Sequence, residues 1–492
     1  MNLSYLAEPE LEFGNGGTHV DIRYGIIGHG PLDLGDQTTP TSLRVGIVGT
    51  DQTISTLRMW LDKCRTGIDA KQSKLTNLFP LFPGFSTDSC FRSSLVFHDR
   101  WCSPIRQREL EATIAAAQGN AIVRAAAELF VAHAQALLEQ GGPMVILCAP
   151  PTELLAAVDE PPGMRPDPSE QELDEGSDPP KDDRRRLIPF HDLLKAEGLG
   201  LGVPIQMVRP YTYTGERIRT KTKGARDSAA TMQDEATRAW NLHAALYYKA
   251  GGVPWRLLRN PADLATCFVG VSFYKSLEGD RLLTSVAQVF NERGEGIIVK
   301  GAQAQLSKDD RQPHLTEEDA QALLRNAVAV YRREHRTLPA RLVVHKTSKL
   351  TEGEARGFRA AADEDKIDVL ELLSLRRSFT RMFRTGSYPP LRGTFLELQP
   401  SAGILYLRGS VQFFHAYPGM YVPRPLEFTV ASAETPMRQL ANEILSLSKL
   451  NWNNTQFDGG EPITVRAARR VGDILKCVTE GQPMQPSFRF YM

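Results

Sequence analysis

The stretch PFHDLLKAEGLGLGVPIQMV, residues 189–208, is the most informative part of the chain. Its first half has the apolar spacing of a helix, which puts His191 and Lys195 on one helix face. Gln206 follows a Gly-rich turn, and Lys249 lies beyond a second predicted helix. Two ammonium groups, an imidazole and an amide can converge on one phosphate, because all four donate hydrogen bonds and lysine adds compact charge. Spacing alone also fits a solvated helix face.

The segments before this stretch predict a parallel α/β layer. LRVGIVGT (43–50) and MVILCAPP (144–151) have the composition of buried strands. A helix predicted over 106–140 lies between them, and strand, helix, strand in this order indicates a parallel sheet.

The second half begins a new α/β unit. TCFVGVSFY (266–274) predicts a strand, and residues 285–301 predict a hairpin around an Arg-Gly-Glu-Gly turn. An amphipathic helix capped by Thr316 follows, and then a strand over 340–348. Hairpin, helix and strand in this order suit an RNase H-like layout. We therefore divide the chain into residues 1–257 and 258–492.

The charge of the chain is balanced overall but unevenly distributed. Its 492 residues carry 58 basic and 58 acidic side chains. Residues 159–183 hold ten acids and two bases, a net charge of −8, so the rest of the chain totals +8. This acidic, proline-rich segment, taken as 159–186, reads as an inserted loop. Basic residues mixed with aromatic ones at 209–226 and 376–392 suit phosphate contact and base stacking, and equally suit solvated surface loops.

Cysteine usage and hydropathy predict a cytoplasmic protein with no membrane span. No run of 18 or more apolar residues occurs, and the six cysteines are scattered without a CxxC pair. We expect reduced thiols and neither a structural zinc site nor disulfides.

Three stretches closely resemble the MID and PIWI domains of short prokaryotic Argonautes. They are FHDLLKAEGLGLGVPIQMV (190–208), AWNLHAALYYKAGGVPWRL (239–257) and LSKLNWNNTQFDGGEPITVRAARRVGDIL (447–475). The resemblance runs from Leu3 to the end of the sequence, interrupted mainly by the acidic segment. It implies a Rossmann-like MID domain followed by an RNase H-like PIWI domain.

The resemblance also implies a pocket for the 5′ phosphate of a guide strand. The family holds this phosphate through a His or Tyr, a Lys, a Gln and a second Lys, and His191, Lys195, Gln206 and Lys249 match by order and spacing. The family often uses its terminal carboxylate, here on Met492, to bind Mg2+ together with the guide phosphate.

For catalysis, the resemblance points to absent carboxylates. Slicing relatives carry metal-binding carboxylates on two PIWI strands and near the start of the last long helix. Ser272, Lys346 (or the adjacent Thr347) and Thr464 stand at these places. A hydroxyl or an ammonium cannot replace a metal-binding carboxylate, so we expect a PIWI domain that does not cut.

Further contacts with the nucleic-acid backbone are expected outside the pocket. One group is basic, and the other consists of amides in NWNNTQ (451–456). They are Arg209, Arg219, Lys221 and Lys223, and Asn453 and Asn454. The amides equally suit a loop whose side chains bind their own main chain.

The resemblance implies a guide-directed subunit of a prokaryotic defence system. It would bind guide RNA, recognise complementary single-stranded DNA and, as a heterodimer, activate an APAZ-domain effector carrying a TIR or sirtuin-like NADase or a nuclease. Two alternatives are a guide-directed nuclease and a stand-alone binder acting by target occupancy. A metabolic Rossmann enzyme is disfavoured, since no GxGxxG follows a strand.

Overall fold

A computed structural model describes most of the chain. The residues it leaves undescribed are 38, 159–187, 217–232, 259–261, 278–280, 291–295, 386–388, 418–422, 457–458 and 480. The acidic segment predicted at 159–186 and the predicted contacts Arg219, Lys221 and Lys223 therefore lie outside the described residues.

The first half alternates strands and helices. Its strands are β1 (Asn2–Tyr5), β2 (Leu11–Glu12), β3 (Thr18–His19), β4 (Ser42–Gly49), β5 (Ser94–Val96), β6 (Cys102–Pro104), β7 (Val145–Ala149), β8 (Ile205–Met207) and β9 (Arg256–Leu257). Its helices are α1 (Ile22–His29), α2 (Asp51–Thr66), α3 (Gln107–Ala116), α4 (Asn120–Glu139), α5 (Thr152–Ala157), α6 (Phe190–Gly198), α7 (Pro210–Thr214) and α8 (Glu235–Lys249).

Strands β5, β4, β7 and β8 form a parallel sheet in that order, and β6 also pairs with β4 in parallel. All five residues of β7 are buried, as expected of a strand covered by helices on both faces. The predicted parallel layer is therefore confirmed.

The helix predicted over 106–140 is in fact two helices. Gly119, with φ 60° and ψ −136°, separates α3 from α4 because this backbone conformation cannot continue a helix. By length and composition alone, α4 is apolar enough to cross a membrane, the one such helix in the described residues. It packs as a core helix does, with the Phe130 ring 6.0 Å from that of Phe190 on α6.

The second half contains the larger sheet. Its strands are β10 (Thr266–Lys275), β11 (Leu282–Phe290), β12 (Gly296–Gln303), β13 (Gln305–Leu306), β14 (Pro313–His314), β15 (Arg341–Lys346), β16 (Val369–Arg377), β17 (Thr394–Gln399), β18 (Ala402–Leu405) and β19 (Leu426–Ser432). Its helices are α9 (Glu317–His335), α10 (Glu352–Glu364), α11 (Met437–Leu447) and α12 (Ile463–Leu475).

Within the described residues the large sheet has the order β1-β17-β18-β19-β16-β15-β10-β11-β12. Its end β16-β15-β10-β11-β12 has β10, β15 and β16 parallel and β11 antiparallel to β10. Numbered along the chain, these five strands lie in the order 5-4-1-2-3, which is the RNase H-like arrangement that the sequence predicted.

One strand crosses the predicted boundary between residues 257 and 258. β1 pairs antiparallel with β17, so Asn2–Tyr5 belong to the large sheet although they lie in the first part of the sequence. The segment that follows, β2, pairs with β3 and with β9. The N-terminal residues thus join the two halves.

Helix α12 lies very close to strand β10, which places the start of the helix at the sheet. A Cβ atom on Gly270 would overlap the main-chain oxygen of Thr464. Only glycine permits this approach, and it brings the first turn of α12 against the two central parallel strands.

Candidate nucleic-acid interface

The four residues predicted to hold a phosphate lie together in the structure. His191 and Lys195 are one turn apart on α6, Gln206 is the middle residue of β8, and Lys249 ends α8. The left-handed Gly202 (φ 72°) ends the turn after α6 and returns the chain to the sheet.

Both lysines are buried and share one acceptor. Lys195 Nζ donates to the Ile205 carbonyl oxygen at 2.5 Å and Lys249 Nζ to the same oxygen at 3.1 Å. Lys249 Nζ also donates to the main-chain oxygen of Met492 at 2.7 Å. The two residues are only 2% and 1% exposed. Among the described residues, no side-chain carboxylate forms an ion pair with either ammonium group.

This arrangement disfavours the charged forms of both lysines. Burial, with added repulsion from Arg470, lowers the pKa of Lys195 from 10.5 to about 8. Burial and the neighbouring Lys195 hold the pKa of Lys249 well below its usual range. An anion placed between the two groups would reverse the shifts, because it favours the ammonium forms.

Helix α12 from the second half completes the pocket. Arg470 Nη2 donates to His191 Nδ1 at 3.0 Å, and Arg470 Nη1 lies 3.5 Å from Asp192 Oδ1. Lys476 Nζ lies 3.8 Å from Asp192 Oδ2. Burial and Arg470 hold the pKa of His191 well below 6.5, although Asp192 opposes the shift. Burial thus favours the neutral form of the His191 imidazole.

Sequence reasoning missed Arg470. Its signal was available in ITVRAARRVGDIL (463–475), where Arg466, Arg469 and Arg470 fall on the polar side of a strongly amphipathic helix. What the sequence could not supply was the direction of that helix, which points Arg470 at a residue 279 positions earlier.

Gln206 presents an unused acceptor. Its Nε2 donates to the Met207 carbonyl oxygen at 3.0 Å, while its Oε1 is buried without a hydrogen-bond partner in the described residues. Because this oxygen is an acceptor, the partner it lacks is a hydrogen-bond donor or a cation.

The other residues predicted to contact the nucleic-acid backbone differ in their surroundings. Arg209 precedes α7, and its charge contributes to lowering the pKa of His191, so it lies near the pocket. Asn453 is exposed. The side-chain oxygen of Asn454 accepts the Gln456 amide at 2.9 Å, which is the main-chain role that the amides of this loop equally suited.

Trp452 and Thr455 hold that loop against the first half of the chain. The Trp452 ring stacks on Tyr248 with centroids 4.5 Å apart, and Thr455 binds Asn241 Oδ1 at 2.9 Å through both its amide and its hydroxyl. The loop is therefore fixed to α8, the helix that carries Lys249.

Of the three positions predicted to have lost carboxylates, Ser272 and Thr464 lie on one face of the large sheet and Lys346 lies on the other, because side chains alternate along a strand. Ser272 is buried on β10, where the preceding Val271 lies opposite Lys346 on β15. Thr464 Oγ1 lies 2.9 Å from His345 Nδ1, beside Lys346.

In the described residues one acid pairs with Lys346, and its oxygens are already engaged. Glu354 lies 3.1 Å from Lys346 Nζ and accepts the Leu315 and Thr351 amides at 2.8 and 2.9 Å. In the part of the chain that the structure describes, no cluster of three His, Cys, Asp or Glu side chains could hold a metal ion.

Comparison with known proteins identifies the class of fold. No protein-family model matches the sequence, and no curated protein matches it. Among solved structures, the chain is similar to Clostridium butyricum Argonaute bound to a guide DNA with a 5′ deoxycytidine and a 19-mer target DNA. Identity is 15% and the TM-score 0.61, over 98% of this chain and 53% of that one. The fold is that of Argonaute MID and PIWI domains, and the chain spans about half that relative's length.

The low pKa of Lys195 predicts a pH-dependent pocket. In the free protein this group loses its proton as pH rises through about 8, whereas the unfolded chain keeps it up to about 10.5. The unfolded state therefore binds more protons in that window, so the free energy of unfolding of the ligand-free protein should rise with pH there. Affinity for a 5′-phosphorylated strand should fall, because the phosphate requires the ammonium form.

Fluorescence anisotropy across this pH range would measure the second effect, with a 5′-hydroxyl strand of the same sequence as the control. Equal weakening of both strands would contradict the assignment.

Proposed function

We propose that the chain binds the 5′ phosphate of a short guide strand in this pocket and finds complementary nucleic acid through base pairing to the guide. The observation that carries the proposal is the pair of buried ammonium groups of Lys195 and Lys249 on one carbonyl oxygen, with no side-chain carboxylate among the described residues to neutralise them and the Met492 oxygen as a further acceptor for Lys249. Burying such charges is costly unless an anion compensates them.

A terminal phosphate matches the hydrogen-bond donors of the pocket better than a backbone phosphodiester does. A terminal phosphate carries more negative charge and exposes three oxygens, so it can accept from both lysines and from Arg470 together. The similar Clostridium butyricum protein holds a guide and a target DNA. An RNA guide and a single-stranded DNA target are proposed here on the sequence resemblance.

We propose that Mg2+ binds at this pocket together with the guide phosphate. Gln206 Oε1 has no hydrogen-bond partner among the described residues, and the Met492 oxygen accepts from Lys249. Both are oxygen ligands of the kind that Mg2+ prefers. Beside two ammonium groups, a cation needs the charge of the guide phosphate to bind. Mg2+ held by Met492 and that phosphate would supply charge neutralisation at the guide end.

We propose further that the chain does not cut its target. Cleavage of the RNase H type needs carboxylates that hold metal ions at the scissile phosphate. Ser272 and Thr464 lie on the face of the sheet that packs against α12 and carry hydroxyl groups there, while Lys346 lies on the other face and is paired with Glu354.

A binder that does not cut needs another protein to produce an output. The sequence resemblance supports a cytoplasmic heterodimer with an APAZ-domain effector, which is a TIR or sirtuin-like NADase or a nuclease. Target pairing would switch this effector on during plasmid or phage invasion. A chain that acts by target occupancy alone is the alternative.

Substitutions that remove positive charge from the pocket test whether it binds the guide phosphate. Lys195→Ala, Lys249→Ala and Arg470→Ala should each weaken binding of a 5′-phosphorylated guide by about 10- to 100-fold, because each removes a charge-assisted hydrogen bond. Binding of the 5′-hydroxyl guide should change little. Arg469→Ala is the matched control, since Arg469 is adjacent in sequence but pairs with Glu461 at 2.7 Å. Equal losses for the two guides would refute the phosphate pocket.

Incubation of the guide-loaded chain with a matched target tests the absence of cutting. In Mg2+ or Mn2+ and without any partner, the target should stay intact on a denaturing gel, because Ser272, Lys346 and Thr464 stand where we expect the metal-binding carboxylates of a cutting enzyme. Discrete products opposite the guide would establish a nuclease instead.

Activation of the effector can be tested in cells that carry the gene for this chain together with its neighbouring genes. After plasmid or phage challenge, cellular NAD or DNA should be depleted with the native chain and spared with Lys249→Ala, while Arg469→Ala behaves as native. Protection that persists without any loss of NAD or DNA would favour target occupancy.

A further inference from the structure

A loop with two exposed phenylalanine rings follows β16. Phe379 is 72% exposed and Phe383 is 81% exposed, and among the large apolar residues that the structure describes only Met1 is more exposed. Rings left in water lose the free energy that burial would provide, about 25 cal/mol per Å² of apolar surface. Two such rings four residues apart indicate a contact surface rather than scattered surface residues.

The loop is held in place rather than merely extended into solvent. The Ser378 amide donates to the Pro425 carbonyl oxygen at 2.9 Å, and the Met382 amide donates to the hydroxyl of the buried Tyr406 at 2.7 Å. Arg381 Nη1 lies 3.3 Å from the Phe379 carbonyl oxygen. These bonds fix the backbone on both sides of Phe379 and directly before Phe383, which reduces the ordering needed when a ligand binds.

The rings stand among guanidinium groups. Arg424 lies over the Phe379 ring, 5.6 Å from its centroid. Arg381 and Arg384 bind main-chain carbonyl oxygens, and neither pairs with a carboxylate within the described ranges. Positive charge with exposed aromatic faces is the combination by which proteins bind single-stranded nucleic acid, since phosphates meet the cations and bases stack on the rings.

The loop leaves the large sheet at the carboxyl ends of its parallel strands. β10, β15 and β16 are parallel, and Lys346 lies opposite Ser374, four residues before the loop. Loops at the carboxyl ends of parallel strands line the ligand crevice in α/β sheets.

An ion-pair chain joins the loop to the helix that completes the phosphate pocket. Arg377 Nη2 lies 3.6 Å from Glu461 Oε1, and that oxygen is 2.7 Å from Arg469 on α12. From Ile463 to Arg470 the helix rises on the order of 10 Å, which is a few nucleotides in length.

We infer that Phe379 and Phe383 form a stacking platform for an unpaired or terminal nucleobase of the guide or target strand. The inference rests on the proposed function and adds a second contact to it. A base inside a continuous duplex has both faces covered, so the rings select a base that lies outside the duplex or at its end.

Ring-preserving and ring-removing substitutions test the platform in the full chain loaded with a 5′-phosphorylated guide. Phe383→Ala should weaken target binding by about tenfold and the double variant Phe379→Ala/Phe383→Ala by more. Phe383→Tyr should bind as the native chain, and Phe383→Leu should resemble Phe383→Ala, because leucine keeps the apolar contact but not the aromatic face. Met59→Ala, at a 65% exposed apolar residue on α2, is the control and should change nothing.

Placing 2-aminopurine at successive guide and target positions locates the base. One position should change its fluorescence between the native chain and Phe383→Ala. Phe383→Leu that binds like the native chain, or variants that all bind equally, would overturn the inference while leaving guide binding intact. A change in oligomeric state without loss of target affinity would overturn it in favour of a protein contact. Failure of the native chain to prefer a 5′-phosphorylated guide would overturn both proposals.

Discussion

The sharing of the Ile205 carbonyl oxygen by Lys195 and Lys249 is the contact on which the rest of the site depends. It brings the end of α6, strand β8 and the end of α8 to one point, and it buries two ammonium groups there. The parallel sheet makes this possible, because β8 lies at its edge and presents its carbonyl oxygens beside the helix ends. Burial of the two ammonium groups destabilises the ligand-free protein, and binding of an anion between them removes this destabilisation.

The same pocket couples the two halves of the chain. Arg470 comes from α12, while His191 and Asp192 come from α6, so the pocket is complete only when the two halves are docked. The Met492 oxygen on Lys249 is a second such contact. A ligand that binds these groups together stabilises the docked arrangement by linkage, and its binding energy is shared between holding the guide and holding the interface.

Local sequence patterns predicted much of the fold and of the pocket. The spacing of His191 and Lys195 placed them on one helix face, and the order of strands and helices predicted both sheets. Other features came from distant parts of the chain and were not predictable: the break at Gly119, the position of β1 on the large sheet and the approach of Arg470. Composition indicated nucleic acid at 376–392, but only the structure showed that Phe379 and Phe383 are held in solvent.

The pairing of β1 with β17 has a consequence for the behaviour of the protein in solution. Residues 2–5 cover hydrogen-bonding groups of β17 that would otherwise form an open sheet edge. Open edges recruit strands from other molecules. β1 is itself the outermost strand on this side but is only four residues long, so it leaves a shorter open edge than the six-residue β17 would. Removal of residues 2–5 would lengthen the edge with which strands of other molecules can pair.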